Sequence, residues 1–258
     1  MGKYFTFQRF RWAHCISIAL LLDVLVADMT FAKDSDSTPE ELLEGERLAA
    51  TLRSLPPAAD LRLNGRLNIR DSSGNIREVP FLFQATVTPT NWTSIYRSKG
   101  VGTSPMGEHV SVAHRTDHTN TYWSASDSFP DVWQHLAGGA EARSFAGSDF
   151  SLADLGLEFL HWPGQRILRT EMRKSRSCHV LESSRPSSKS GEYRRVISWI
   201  DVESGGLYVA EAYDDQNKLF KEFNVNNMAK IDGRWQVKQM EIRNVRTKSR
   251  TRLDFEVK

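Results

Sequence analysis

Apolar and polar residues alternate with a period of two along most of this chain, and that alternation limits what it can fold into more than any other feature. Leu61, Leu63, Gly65, Leu67 and Ile69 are interleaved with Arg62, Asn64, Arg66, Asn68 and Arg70. Only an extended strand with one dry and one wet face sorts such a pattern onto two sides. The turn Asp71-Ser72-Ser73-Gly74-Asn75 follows, and Phe81, Phe83, Ala85 and Val87 resume the pattern, which predicts a hairpin. Further strands are predicted over 92–97, 109–114, 119–124, 167–174, 177–183, 194–201, 206–213, 218–225, 228–231, 235–243 and 249–257. Asn and Gly in the intervening turns tolerate positive φ, as at Asp214–Asn217. The fold class is therefore mainly β, an antiparallel meander with few helices.

A sheet of so many strands does not stay flat, because strand twist makes it curl or split. Its apolar face then becomes concave and has to be covered. Two helical segments are available. Thr38-Pro39-Glu40-Glu41 supplies a cap, a first-turn proline and a capping-box glutamate; the helix should run to about Leu55, with Leu48, Leu52 and Leu55 on its apolar stripe, and stop at Pro56-Pro57. Residues 126–165 break the strand rhythm with Pro130 and Gly138-Gly139, and Ser151 with Asp154 can cap a short helix limited by Gly156. Phe150, Leu155, Phe159, Leu160 and Trp162 in that insert need an apolar surface to land on, as a lid over the sheet would. One helix and one insert are narrower than the curved face, so incomplete filling and a pocket open to an apolar ligand are expected.

At the start of the chain, Lys3, Arg9 and Arg11 precede an apolar run from Ile16 to Ala27 and then small residues, the layout of a signal peptide over residues 1–32. Cleavage is expected after Ala32, with Ala27 as the alternative. Asp23 and Asp28 interrupt the run, which falls short of the ~20 apolar residues a bilayer span needs. Residues 33–258 then form one domain exported to the periplasm, whose formal charge is +1 in place of the full chain's +2. A charge so near neutral offers no reason to propose a nucleic-acid partner. Cys178 is the one cysteine past the leader, so no disulfide within the domain can form. It is expected as a buried strand thiol, with His179 facing the other way.

Common enzyme signatures are missing: the sequence has no Gly-x-Ser-x-Gly elbow, His-Glu-x-x-His pair or phosphate-cradling glycine loop. His109, His114 and His118 lack the spacing and fourth ligand of a metal site and are expected as surface residues, with no metal. Asp201, Glu203, Glu211, Asp214 and Asp215 stand among Arg194, Arg195, Lys218 and Lys221, a setting for cross-strand ion pairs rather than paired catalytic acids. No cofactor is implied and no catalytic residue is assigned.

Phe145-Ala-Gly-Ser-Asp149-Phe150-Ser151-Leu-Ala-Asp154-Leu155 resembles the Gly-Ser/Thr-Asp-Phe-Ser…Asp-Leu signature of the outer-membrane lipoprotein-sorting, LolA-like family. Cys178-His-Val180-Leu181-Glu182 with Pro186, Trp199-Ile200-Asp201, Tyr213-Asp214 leading to Lys218-Leu219-Phe220-Lys221, Trp235 to Met240 and Thr251 follow in that family's order. Asn217 departs from it, standing where the family tends to have Gly. The resemblance covers about Phe145 to Phe255 and implies an unclosed β-barrel, lidded by helices, that holds the acyl chains of lipoproteins. On this basis Phe150, Leu155, Phe159, Leu160, Trp123, Trp199 and Phe220 are the candidate lipid-binding and lid residues. The expected function is a non-enzymatic carrier or receptor for lipids or lipoprotein acyl chains, exchanging cargo with an inner- or outer-membrane partner. The alternatives are an envelope interaction or sensing module with a filled core, or an enzyme acting on lipids or glycans.

Overall fold

The computed structural model describes residues 37–256 except 58, 90, 102–105, 187–191 and 232. The leader with Cys15 and both candidate cleavage points, and Val257 at the end of the last expected strand, lie outside the described residues. Six strands run outward: β1 (Leu61–Arg70), β2 (Ile76–Val87), β3 (Trp92–Ser98), β4 (Glu108–His114), β5 (Thr121–Ser126) and β6 (Phe129–His135). Seven return: β7 (Gly164–Arg173), β8 (Arg176–Ser184), β9 (Arg195–Asp201), β10 (Leu207–Tyr213), β11 (Leu219–Ile231), β12 (Arg234–Asn244) and β13 (Ser249–Phe255). Each strand pairs antiparallel with its chain neighbour, except that β6 does not pair with β7. Instead β1 pairs with β13, Gly65 opposite Phe255 and Arg70 opposite Arg250, and this seam fuses the two meanders into one unclosed sheet.

That order decides where the lid lies. β6 and β7 are consecutive in the chain yet occupy opposite edges of the sheet, so residues 136–163 have to travel from one edge to the other. Along the way they form a 3-10 turn at Ala140–Ala142, the short helix α2 (Leu152–Leu155) and a second 3-10 turn at Glu158–His161. Their apolar side chains supply the missing cover for the inner face. Phe145, Phe150, Leu152 and Leu155 pack on Leu67, Val79, Phe81, Tyr96, Val110, Val112, Tyr122 and Leu253. Phe159, Leu160 and Trp162 pack with Leu181, Val196, Ile200, Ala210 and Ala212, and Phe223 touches both groups. Each fully buried Leu, Val or Phe of these clusters contributes about 1.5–3 kcal/mol relative to exposure.

The N-terminal helix α1 (Pro39–Arg53) begins as its capping box dictates: Glu41 N donates to Thr38 Oγ1 and Thr38 N donates to Glu41 Oε2. It lies against β7, the open edge of the second meander, and Ala49 enters the second cluster. The approach is close enough to require glycine, since a Cβ on Gly45 would sit 2.3 Å from Arg166 Cα.

The outer face carries a third, smaller patch of Cys178, Val180, Ile197, Trp199 and Val209. Cys178 is fully buried there, and His179 turns away to hydrogen-bond Thr170, as strand alternation demands. Asn217 takes φ 58°, a left-handed conformation that Asn tolerates better than most residues.

Three expectations need correction. Residues 126–165 are not free of strand, because β6 lies within them; its solvated edge position tolerates Pro130 and needs no apolar alternation. Residues 218–225 and 228–231 belong to one strand, β11, joined through register shifts around Asn227 where the polar pair Asn226-Asn227 reads as a turn. His109 and His114 are buried rather than on the surface: His109 pairs with Asp127 at 2.8 Å and His114 points under the lid, and only His118 of the three is exposed.

Candidate functional site

Between the inner face and the lid lies a cavity of about 360 Å³. Its walls come from Leu52 and Arg53 of α1, Trp92 and Tyr96 of β3, His114 of β4, and Phe223, Val225, Met228, Trp235, Val237 and Met240 of β11 and β12. The lid closes it with Phe150, Leu155, Gly156, Leu157, Leu160 and His161. Apolar side chains make up most of this lining, and the volume lies in the roughly 300–1,000 Å³ range of small-molecule sites.

The lid is tied down at its base by the signature residues. Asp149 accepts from Thr251 Oγ1 at 2.8 Å and from Ser249 Oγ, and its own N–H donates to Thr251 Oγ1. Asp154 closes the α2 capping box with Ser151 and accepts from Lys221 Nζ at 2.7 Å and Tyr193 Oη at 2.5 Å. Lys221 also donates to the Asp149 carbonyl at 2.9 Å. Burial alone would push the Asp154 carboxyl up, but Lys221 and the Tyr193 and Ser151 hydroxyls outweigh it and hold the group below the usual carboxylate range. Side chains 67 residues apart in sequence thus form one buried knot joining lid to sheet.

At its far end the lid is held differently. Arg53 Nη1 donates to the Leu160 carbonyl at 2.5 Å, linking α1 to the second 3-10 turn. Glu158 accepts from Tyr122 Oη at 2.7 Å and Asn120 Nδ2 at 3.0 Å, linking that turn to β5 and to the loop before it. Burial raises the Glu158 carboxyl above its ordinary value. His114 stacks on Trp92 at 3.5 Å between ring centroids, and its Nε2 lies 2.8 Å from Ser94 Oγ. Burial, reinforced by His161, lowers His114 to about 3; burial and then Arg53 lower His161 to about 4. Both imidazoles are neutral at pH 7.

Of the residues singled out from sequence, Phe150, Leu155 and Leu160 meet in the cavity wall. Phe159 is buried beside the cavity in the second cluster, and Phe220 packs on that cluster's side against Tyr193, with Arg246 over its ring at 4.4 Å. Trp123 pairs with Ser111 and His135 on the face opposite the buried Tyr122. Trp199 belongs to the outer patch, where its Nε1 donates to Glu171 at 2.6 Å and Arg173 lies 4.5 Å over its ring. Trp92, His114, Arg115, Met228 and Met240 were not foreseen as cavity residues; the strands of all but Arg115, which follows β4, were, but alternation alone does not say which of two mixed faces looks inward. The acidic residues do hold cations: Asp215 lies 3.8 Å from Arg194, one of the expected partners, whereas Asp201 binds Arg176 at 2.9 Å, Glu211 binds Arg173 at 3.1 Å and Asp214 binds Arg246. Among the described residues no group of His, Cys, Asp and Glu is arranged to hold a metal ion.

A family model described as an uncharacterized protein matches residues 115–257, more than half of the chain. Among solved structures, a DUF1329 family protein from Desulfovibrio piger is similar at 19% identity and a TM-score of 0.69, over 84% of this chain and 91% of that one. A domain from Vibrio parahaemolyticus named for outer-membrane lipoprotein sorting reaches a TM-score of 0.70 at 15% identity, over 84% and 92%. A LolA superfamily protein from Nitrosomonas europaea reaches 0.58 at 17% identity, over 84% and 92%. These likenesses establish a shared fold. Among curated proteins no sequence matches the chain.

Proposed function

Because this chain belongs to the family of the model that matches residues 115–257, shares the fold of a LolA superfamily protein and keeps an apolar cavity under its lid, we propose that it binds and carries acyl chains, of lipoproteins or of other lipids, without catalysing a reaction on them. The cavity is the observation that carries this reading. A lid packed solidly onto the sheet would leave nowhere for cargo, whereas here the sheet and the crossing segment stay apart over about 360 Å³. Each methylene transferred into such a site gains about 0.8 kcal/mol, so a ~16-carbon chain gains roughly 13 kcal/mol before the costs of association.

Reversible loading needs part of that gain offset. The lid's two kinds of anchor divide the work: the Asp149–Asp154–Lys221 knot keeps its base in place with a buried ion pair, and the other end, held by Arg53 on the Leu160 carbonyl and by Glu158 on Tyr122 and Asn120, is the less expensive one to release. A membrane partner that stabilises the released lid would empty the cavity. Such exchange belongs in the periplasm, where the expected leader would deliver the domain.

Purification of the mature domain from its native compartment, extraction with organic solvent and mass spectrometry of the extract test the reading. Acyl chains in near-stoichiometric amount are expected. A domain that comes out clean and then fails to bind fatty acids or acylated peptides would sink it.

A further inference from the structure

One wall of the cavity differs chemically from the other. Toward β11 and β12 the lining is Phe223, Val225, Met228, Trp235, Val237 and Met240, with no charge among them. Across the cavity, on the side of β3 and β4, it offers hydrogen-bond donors. Trp92 Nε1 and Arg115 Nε are buried there without a hydrogen-bond partner among the described residues, and so is Arg53 Nε beside the lid. Buried N–H groups are almost always matched, so three unmatched ones around one cavity call for an acceptor the chain itself does not supply.

The charge balance points the same way. Two other buried or half-buried cations in the cavity wall or lid knot are neutralised at close range, Lys221 by Asp154 at 2.7 Å and Arg53 by the half-exposed Glu46 at 2.9 Å. Arg115 has no carboxylate within ion-pair distance among the described residues, although its side chain reaches the cavity lining. His114, stacked on Trp92, and His161, next to the carbonyl that Arg53 holds, add two imidazoles to the same side. Of the acids nearby, Asp154 is paired with Lys221, and Glu158, bonded to Tyr122 and Asn120, is not among the residues that line the cavity.

We propose that the cavity takes an amphiphile with an anionic headgroup, its carboxylate or phosphate seated among Arg115, Trp92, Arg53 and the two histidines and its tail laid toward β11 and β12. This rests on the carrier reading of the same cavity and narrows it to acidic lipids. A neutral ester would leave the donors unmatched and Arg115 uncompensated, and so would bind less well than the acid of equal chain length.

The full chain, delipidated, would be titrated by fluorescence with 11-(dansylamino)undecanoic acid and with its methyl ester, at pH 7.5. The acid should bind about 10-fold more tightly or better, and Arg115→Gln should weaken the acid by about that factor while leaving the ester unchanged. Dodecyl phosphate should displace the bound acid, and inorganic phosphate should not, which assigns the anion to a lipid headgroup. Equal binding of acid and ester by the unmutated protein overturns the headgroup inference and leaves the carrier reading standing; so does displacement by inorganic phosphate as effective as that by dodecyl phosphate. Failure of both probes to bind overturns the carrier reading and this inference with it. The acid and ester comparison needs no variant, so it decides the matter even where Arg115→Gln does not fold.

Discussion

Replacing Lys221 by methionine keeps the length and apolar stem of the side chain and removes the charge that Asp154 faces. In the structure the two side chains retain 10% and 14% of their exposure, so the carboxylate left behind is largely cut off from water. Removing one partner of a buried pair typically costs about 3–5 kcal/mol. Asp154 keeps its bonds from Tyr193 and Ser151, which favours the lower figure, while the Asp149 carbonyl loses its donor as well. At roughly 2–4 °C per kcal/mol for a domain of this size, about 3 kcal/mol lowers Tm by roughly 6–12 °C. Thermal unfolding followed by circular dichroism measures it, and the cycle with Asp154→Asn isolates the pair, whose coupling should exceed about 1.5 kcal/mol. The dependence on pH should also change sign. With Lys221 present, Asp154 is depressed, so its contribution is complete above the ordinary carboxylate value of 3.8 and is lost as pH falls through the lower folded value. Without Lys221, burial raises the carboxyl, and the variant should lose stability relative to the parent as pH rises from about 4 to 7. A drop in Tm under about 2 °C, or strictly additive single substitutions, would show that the pair does not hold the lid.

Gly45→Ala should lower stability by about 1–3 kcal/mol through overpacking, because the new methyl meets the Arg166 backbone; chemical denaturation would register it, and an unchanged midpoint would mean that α1 does not rest on β7 as described. The two cavity histidines, His114 on β4 and His161 on the lid, are depressed to about 3 and about 4, so the unfolded chain binds more protons below its ordinary histidine value of 6.5. Stability should therefore decline as pH falls from 6.5 toward 4, and His114→Gln should flatten that decline; a melting temperature constant across the window would refute the burial of both rings.

What the sequence made legible follows the range of the interactions concerned. Thr38 with Glu41 and Ser151 with Asp154 act over three residues, and both capping boxes form where the local pattern places them. Alternation in β1, β2 and β13 is regular because each strand has one wet face. β6 escaped notice because an edge strand exposed on both sides writes no alternation, and β11 was divided because its irregularity falls on two asparagines. The site was legible only in part, for the same reason. Phe150, Leu155 and Leu160 belong to a short apolar insert with a single surface to land on. His114 stands in a strand buried on both faces, where a histidine at either parity looks alike, and Lys221 reveals its role only once β11 is laid beside a lid 67 residues away.

The crossing segment works as a strap as well as a cover. Because it is spliced between the two free margins of the sheet, its contour length limits how far those margins can spread, and any widening of the trough draws on the same stretch of backbone that roofs it. Lifting the roof and splaying the walls are thus mechanically one event, and a protease cut between β6 and β7 would remove the covalent limit, leaving two fans of strands joined by the β1–β13 seam and by the non-covalent contacts of α1 and the severed strap.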